Sequence, residues 1–252
     1  MVRLRFRTLM PHLSIVIPAY NEEKRLPKTL ERMLPYLRSL GYAFEIVIVD
    51  DGSKDRTVQA LHDVSARFPE IRIVSDGINR GRGAAVKKGI FEAKGDIVLE
   101  TDSDGSVADE AIGRFVARFD AESELDAIFG SRMMQGSRIV LWQPWHRTFL
   151  GYGFLFLARA AFFMWTTTDF TLGFKMYRRD VARDIFLHQF DPFYVAEAEK
   201  VFVAKVRGHR TEELPVTWTD DPDSRVKPVR DTIRSLTGMA EILGRFFIGK
   251  YT

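Results

Sequence analysis

Four times in the first 106 residues a short, β-branched apolar run stops at a cluster of acidic, asparagine or glycine residues: LSIVIPAYNE, FEIVIVDDGSKD, IRIVSD and DIVLETDSDGS. Such runs are too short for helices and are apolar on both sides, the pattern of strands buried on two faces. Between them stand stretches with helical spacing. Leu26, Leu30, Met33, Leu34 and Leu37 predict a helix over 26–40, a second falls at about 56–67, and GRGAAVKKGIFEAKG forms a third that closes at Gly95. The first strand is expected at 13–17, ended by Pro18, the second at 44–49, and LDAIFGSR supplies a fifth. Strands alternating with helices build a mostly parallel sheet covered on both faces, and ligands of such sheets bind beyond the carboxyl ends of the strands. PAYNE, DDGS, DSDGS and GSR all fall at those ends.

A chain of 252 residues fits one large domain or a domain with an extension, and 46% hydrophobic with 28% charged residues is an ordinary globular composition. With no cysteine, disulfides, thiolate metal sites and cysteine nucleophiles are excluded. A net charge of +3 and a pI of 9.1 favour anionic surfaces or phosphates as partners and give no signature of nucleic-acid binding. Residues 1–12 form a basic segment with Arg3, Arg5 and Arg7, too polar for a signal peptide, so a cytoplasmic location is expected.

The second half is richer in phenylalanine. FLGYGFLFLARAAFFMW, at 149–165, is almost wholly apolar but contains Arg159 and is shorter than the roughly 20 residues of a spanning helix. An interfacial or core helix is expected there. In the tail, Ile233, Leu236, Met239, Ala240, Leu243, Phe246 and Phe247 share one helical side, with Arg230, Arg234, Arg245 and Lys250 elsewhere. That pattern suits a helix lying in a membrane surface or one packed on its own domain.

Asp102 and Asp104 form a D-x-D pair that can offer oxygens to one hard divalent cation, or simply make a polar turn. Gly105 in the fourth position, where an EF-hand loop needs glycine in the sixth, excludes that calcium motif. Asp50 and Asp51 can accept hydrogen bonds from a base or ribose, or Ser53 and Asp55 can cap a helix there. In PAYNEE, Pro18 stiffens the loop, Tyr20 can stack on a base and Glu22 can accept hydrogen bonds, while Asn21 is an alternative helix cap. NRGRGAAVKKG places Gly81 and Gly83 beside Arg80 and Arg82 but lacks the G-x-G-x-x-G order after a first strand, so a dinucleotide fold is excluded and close approach to a nucleotide is expected. Arg132, Arg147, Arg225 and Lys227 carry forks or charges that match phosphate, or make surface ion pairs.

Together and in this order, IVIPAYNEEKRL, FEIVIVDDGSKDRT, NRGRGAAVKKGIFEAKGDIVLETDSDGS, FGSR, HRTFLGYGF, DFTLGFKMYRR and LPVTWTDDPDSRVKP resemble the inverting family 2 glycosyltransferases. The resemblance is to the polyprenyl-phosphate branch, which includes the dolichyl-phosphate glucosyltransferases. It implies an α/β GT-A fold, a Rossmann-like, mostly parallel sheet flanked by helices, with a catalytic domain over 13–230 and an amphipathic, membrane-associated helix at 231–252. It further implies that Pro18, Tyr20, Glu22, Asp50, Asp51, Arg80 and Asp102 hold the nucleotide, and that Asp102, Asp104 and Ser106 hold Mg²⁺ or Mn²⁺. Asp104, Arg132 and Arg147 would be catalytic, with Arg132, Arg147 and Arg225 receiving the lipid phosphate. The implied partners are a nucleotide sugar and a polyprenyl phosphate in a membrane surface, with the chain peripherally attached to the inner face.

Thr171 stands where the glucosyltransferase relatives have glutamine, and Glu197 where they have aspartate. UDP-glucose leads, with UDP-glucuronate, UDP-galactose, UDP-N-acetylhexosamines and GDP-mannose open. Transfer to a saccharide hydroxyl, with Asp169, Glu197 or Glu199 as base, and a non-catalytic sugar-nucleotide binding module are the other readings.

Overall fold

The computed structural model describes residues 10–193, 195–221 and 228–251, without the side chains of residues 146, 147 and 228–233. Four parallel strands lead the chain, β1 (Leu13–Ala19), β2 (Phe44–Asp50), β3 (Ile71–Ser75) and β4 (Ile97–Glu100), separated by α1 (Leu26–Ser39), α2 (Thr57–Ser65) and α3 (Arg82–Glu92). After α4 (Glu110–Ala121) come β5 (Ala127–Ser131), β6 (Arg138–Leu141), α5 (Trp145–Ala161) and β7 (Lys175–Arg178). The chain continues through α6 (Arg179–His188), α7 (Ala196–Val206), β8 (Thr211–Pro215), β9 (Thr217–Thr219) and α8 (Pro228–Phe247).

The seven-stranded sheet runs β3-β2-β1-β4-β7-β5-β8, with β7 antiparallel to both its neighbours, and β6 pairs with β9 in a small second sheet. Period-two alternation divides the core. Leu13, Ile15 and Ile17 of β1 face α1 and α4, packing with Leu30, Leu34, Ile112 and Phe115, whereas Val16 joins Val86, Phe129, Phe162 and Ile242 on the other face. Burying side chains of this size stabilises the fold by about 1.5–3 kcal/mol each.

Several boundaries differ from expectation for local reasons. β1 continues through Pro18 to Ala19. Beyond Val16 the β4 side is unpaired, so a residue with no N–H is accommodated there. The apolar stretch 149–165 is not one helix: α5 starts earlier, at Trp145, and ends at Ala161. α8 begins at Pro228 rather than 231, and its apolar stripe is used internally, with Met239 and Ile242 buried and Leu243 and Phe246 packed on the core. Leu236 and Phe247 of the same stripe stay exposed, so the tail packs on its own domain through only part of its apolar side.

Candidate functional site

Because β1 and β2 run parallel in register, the PAYNEE and DDGSKD loops leave the sheet side by side. They are tied to each other. Asn21, in a left-handed conformation (φ 56°), donates its amide to Ser53 Oγ (2.9 Å) and accepts from the Lys54 amide (2.7 Å). Glu22 N–H donates to Thr57 Oγ1 (2.6 Å), and Arg56 N–H to Glu23 Oε2 (2.9 Å). Asn21 therefore joins loops instead of capping a helix, and α1 and α2 start after Arg25 and Arg56 without side-chain caps. The Glu22 carboxylate is buried and gripped by Arg25 through both oxygens (2.7 and 2.5 Å), and Arg25 also reaches Asp221 (2.5 Å).

The adjacent Asp50 and Asp51 do different work. Asp50 accepts from Ser75 Oγ (2.8 Å) and the Ser53 amide (3.2 Å) at the wall of a cleft that Asp76, Ile78 and Arg80 also line. Asp51 takes the amides of Arg80 (2.7 Å) and Gly81 (2.9 Å) and so fixes the entry to α3; burial pushes its carboxyl up, and those amides oppose the shift. Gly83 N–H donates to Pro192 O (2.8 Å). Gly81 has φ 100°, and a Cβ there would stand 2.6 Å from Pro192 O. These glycines admit the 191–193 backbone, which is a different need from the nucleotide approach expected of them. The Arg80 side chain is exposed and pairs with Asp76 (2.6 Å), while Tyr20 is partly exposed just past the C-terminal end of β1.

At the end of β4 lies a chain of charges that periodicity did not signal. Arg82, the first residue of α3, donates through Nε to Asp102 Oδ1 (2.7 Å) and through Nη1 to Glu197 of α7. Glu197 also receives Lys175 of β7 and Lys200 (2.5 Å); Lys200 reaches Glu100 (2.5 Å), which accepts from Tyr177 OH (2.9 Å). Lys175, Lys200 and Glu100 are fully buried. Burial alone would raise the Glu197 carboxyl, but Lys175, Lys200 and Arg82 outweigh it and hold the group far below the usual carboxylate range. Asp102 is pushed up by burial and pulled back by Arg82. Gly173 closes over this pair: a Cβ there would fall 2.1 Å from Arg82 Nη2 and 2.6 Å from Asp102 Oδ2.

Asp104 Oδ1 accepts the Ser106 amide (2.9 Å). Among the described residues, Asp102 Oδ2 and Asp104 Oδ2 have no hydrogen-bonding partner, so each carboxylate keeps one oxygen in reserve. No group of three or more His, Cys, Asp or Glu able to hold a metal occurs among the described residues. Two carboxylate oxygens are a donor set that fits Mg²⁺ or Mn²⁺, cations that complete their shells with water and substrate phosphates.

On the other flank, Arg132 follows β5 and is clasped by Asp169 (Nε to Oδ2, 2.7 Å; Nη2 to Oδ1, 3.1 Å) and Thr171 Oγ1 (2.7 Å), with its guanidinium 5.3 Å from the Trp218 ring. Burial would raise Asp169, but Arg132 holds it below its ordinary value. Glu213 of β8 anchors the turn by accepting the Thr168 and Asp169 amides (2.8 and 2.9 Å). Glu199 accepts from the Phe190 and Asp191 amides and from Tyr251 OH (2.5 Å). All three acids considered as bases are thus spoken for by cations or donors. Arg147 lies on α5 with its side chain outside the description, and Arg225 and Lys227 lie outside the described residues. The structure therefore brings Arg132 to the site and leaves the other two arginines unplaced.

Residues 14–186 match the glycosyl transferase family 2. The chain is 32% identical over 241 residues to dolichyl-phosphate beta-glucosyltransferase ALG5A of Trichomonas vaginalis, covering 92% of this chain and 72% of that protein. It is 29% identical over 229 residues to the human dolichyl-phosphate beta-glucosyltransferase, covering 86% and 70%. Among solved structures, it resembles Mycobacterium tuberculosis glucosyl-3-phosphoglycerate synthase in complex with Mn²⁺, UDP-glucose and phosphoglyceric acid, with TM-score 0.65, 16% identity and coverage of 93% and 80%. The mannosyltransferase PcManGT of Pyrobaculum calidifontis, in complex with GDP-Man and Mn²⁺, aligns with TM-score 0.56, 18% identity and coverage of 96% and 72%. These two likenesses establish the GT-A fold.

Proposed function

Because the chain belongs to glycosyl transferase family 2, we propose that it moves a hexose, glucose first, from a UDP-sugar to the phosphate of a polyprenyl or dolichyl phosphate, with inversion at the anomeric carbon. The relatives' names support the acceptor, and the complex of the mycobacterial synthase supports UDP-glucose and a divalent cation.

The observation that carries the reading is the state of the acids. A saccharide hydroxyl needs a carboxylate free to take its proton, whereas a phosphate monoester is already anionic near neutral pH and needs placement more than deprotonation. Asp169 is committed to Arg132, Glu197 to Arg82 and two buried lysines, and Glu199 to Tyr251 and two amides. An acceptor that brings its own charge fits such a site.

In this reading Glu22, Asp50 and the cleft beside Arg80 receive the nucleoside, with Pro18 and Tyr20 shaping the edge and Asp51 holding the α3 entry from beneath. Asp102 and Asp104 would hold Mg²⁺ or Mn²⁺, with Ser106 fixing Asp104 through its amide. That ion would neutralise the departing nucleoside diphosphate. Arg132, pre-oriented by Asp169 and Thr171, aligns the acceptor phosphate opposite the leaving group, joined by Arg147 and Arg225. Since the acceptor is a lipid, the chain works at a membrane surface, peripherally attached to the inner face.

The test is incubation with Mn²⁺, a short polyprenyl phosphate and a panel of UDP- and GDP-sugars, with products identified by mass. A polyprenyl-phosphate hexose from UDP-glucose is expected. Nucleotide binding with no glycolipid from any donor would refute the reading.

A further inference from the structure

α5 presents two unlike faces. Leu155 and Ala158, with Phe162 just beyond, are buried in the core, while Trp145, Phe149, Tyr152 and Phe156 recur at intervals of four, three and four on another side. They are 80, 73, 48 and 61% exposed. Trp165, also exposed, packs edge-on against Phe156 at 6.1 Å, and Leu141 and Trp142 extend the surface before the helix. Monomeric proteins rarely leave a contiguous apolar surface of this kind without a use for it.

The charge pattern says what the surface meets. Residues 133–168 contain no Asp or Glu, although 34 acidic residues in 252 would put about five in a stretch of 36. Arg138 and Arg147 fall within it, and the remaining arginine, Arg159, three residues past Phe156, donates to Thr167 O (2.9 Å) and Thr168 O (2.6 Å). An exposed face of tryptophan, tyrosine and phenylalanine, in a stretch that contains arginines and no acidic residue, matches the interface of an anionic bilayer. The C-terminal helix is less suited to the role, because Met239, Ile242, Leu243 and Phe246 of its apolar stripe pack on the core and leave Leu236 and Phe247 exposed. No described helix is long and apolar enough to cross a membrane, so contact here is in the plane of the surface.

We propose that residues 138–165 form an in-plane dock, with α5 lying in the headgroup layer of an anionic bilayer and Phe149, Phe156 and Trp165 inserted toward the acyl chains. Its purpose rests on the lipid-phosphate reading above: a chain docked in the plane of the bilayer is held where the phosphate of that acceptor lies.

Flotation on vesicles that contain no polyprenyl phosphate separates this proposal from the activity. The full chain is expected to float with phosphatidylglycerol–phosphatidylcholine vesicles, at least tenfold more weakly with phosphatidylcholine alone, and less as salt rises. The double variant Phe149→Ser, Phe156→Ser is expected to bind anionic vesicles at least tenfold more weakly, while keeping its melting temperature and its turnover of a short, water-soluble polyprenyl phosphate. Absence of flotation on anionic vesicles would overturn the dock, as would flotation undiminished in the double variant. A dimer in sedimentation that the same substitutions dissolve, without vesicle binding, would assign the face to a second copy of the chain and equally overturn it. Failure of the wild-type chain to turn over the soluble acceptor sinks the activity and leaves the flotation result standing.

Discussion

The carboxylates at the end of β4 and those of α7 differ in what they have left to give. Asp102 and Asp104 each spend one oxygen on the protein and keep the other. Glu197 is surrounded by three cations, and Glu199 is held by two amides and a phenol. The lesson is that acidity in a cleft does not make a base. A carboxylate that balances buried lysines supplies architecture, and one with an unspent oxygen supplies chemistry.

The largest effect expected from breaking this contrast is at Asp104. Asp104→Asn removes a half-exposed carboxylate that holds only a turn amide, so transfer should fall about 10³-fold with the melting temperature nearly unchanged. Steady-state glycolipid formation and a thermal melt check both halves.

At Glu197 the opposite division is expected. Glu197→Gln leaves Arg82, Lys175 and Lys200 short of a counter-charge and should cost about 3–5 kcal/mol, roughly 10 °C in melting temperature. A general base would instead show lost turnover at an unchanged melting temperature. The pH dependence sharpens the point. Since the folded-state carboxyl is held below its ordinary 4.5, its stabilisation is complete above about pH 4.5 and is lost as pH falls toward the folded value. The melting-temperature gap between wild type and Glu197→Gln should therefore be constant from pH 8 to 6 and narrow below pH 4.5.

Arg132→Lys keeps the charge but loses the fork clasped by Asp169 and the contact with Trp218. A drop of about 10–100-fold in kcat/KM for the acceptor, with the donor KM unchanged, is expected. The smallest effect belongs to Tyr251→Phe, which removes one hydrogen bond to buried Glu199 and should lower stability by about 1 kcal/mol without altering turnover.

The same contrast marks what the sequence reveals. The strands β1 to β5 and the D-x-D turn are legible because each rests on neighbours in sequence: an apolar run, a period, a polar stop. β7 to β9 are not, since they are four, five and three residues long and half polar, and their pairing is with distant strands. Arg80 drew attention as a nucleotide ligand while Arg82, two residues on, carries the contact with Asp102, because its partner Glu197 is 115 positions away. A signal was present in Glu100 and Lys200, charges set directly against the apolar runs IVL and VFVA, where burial demands a partner. Asp50 and Asp51 show the limit of motif reading: adjacent in DDGS and both lining the cleft, one accepts from Ser75 and the other clamps the entry to α3.

The measurement that bears most directly on the account compares kcat/KM for a short polyprenyl phosphate and for the matching free polyprenol, with UDP-glucose and Mn²⁺. Turnover of the phosphate only, about 10³-fold or more above the alcohol, is expected, because Asp169, Glu197 and Glu199 are each committed to cations or donors and none is free to deprotonate a hydroxyl. Comparable turnover of the alcohol, abolished in Glu197→Gln while the protein stays folded, would contradict it.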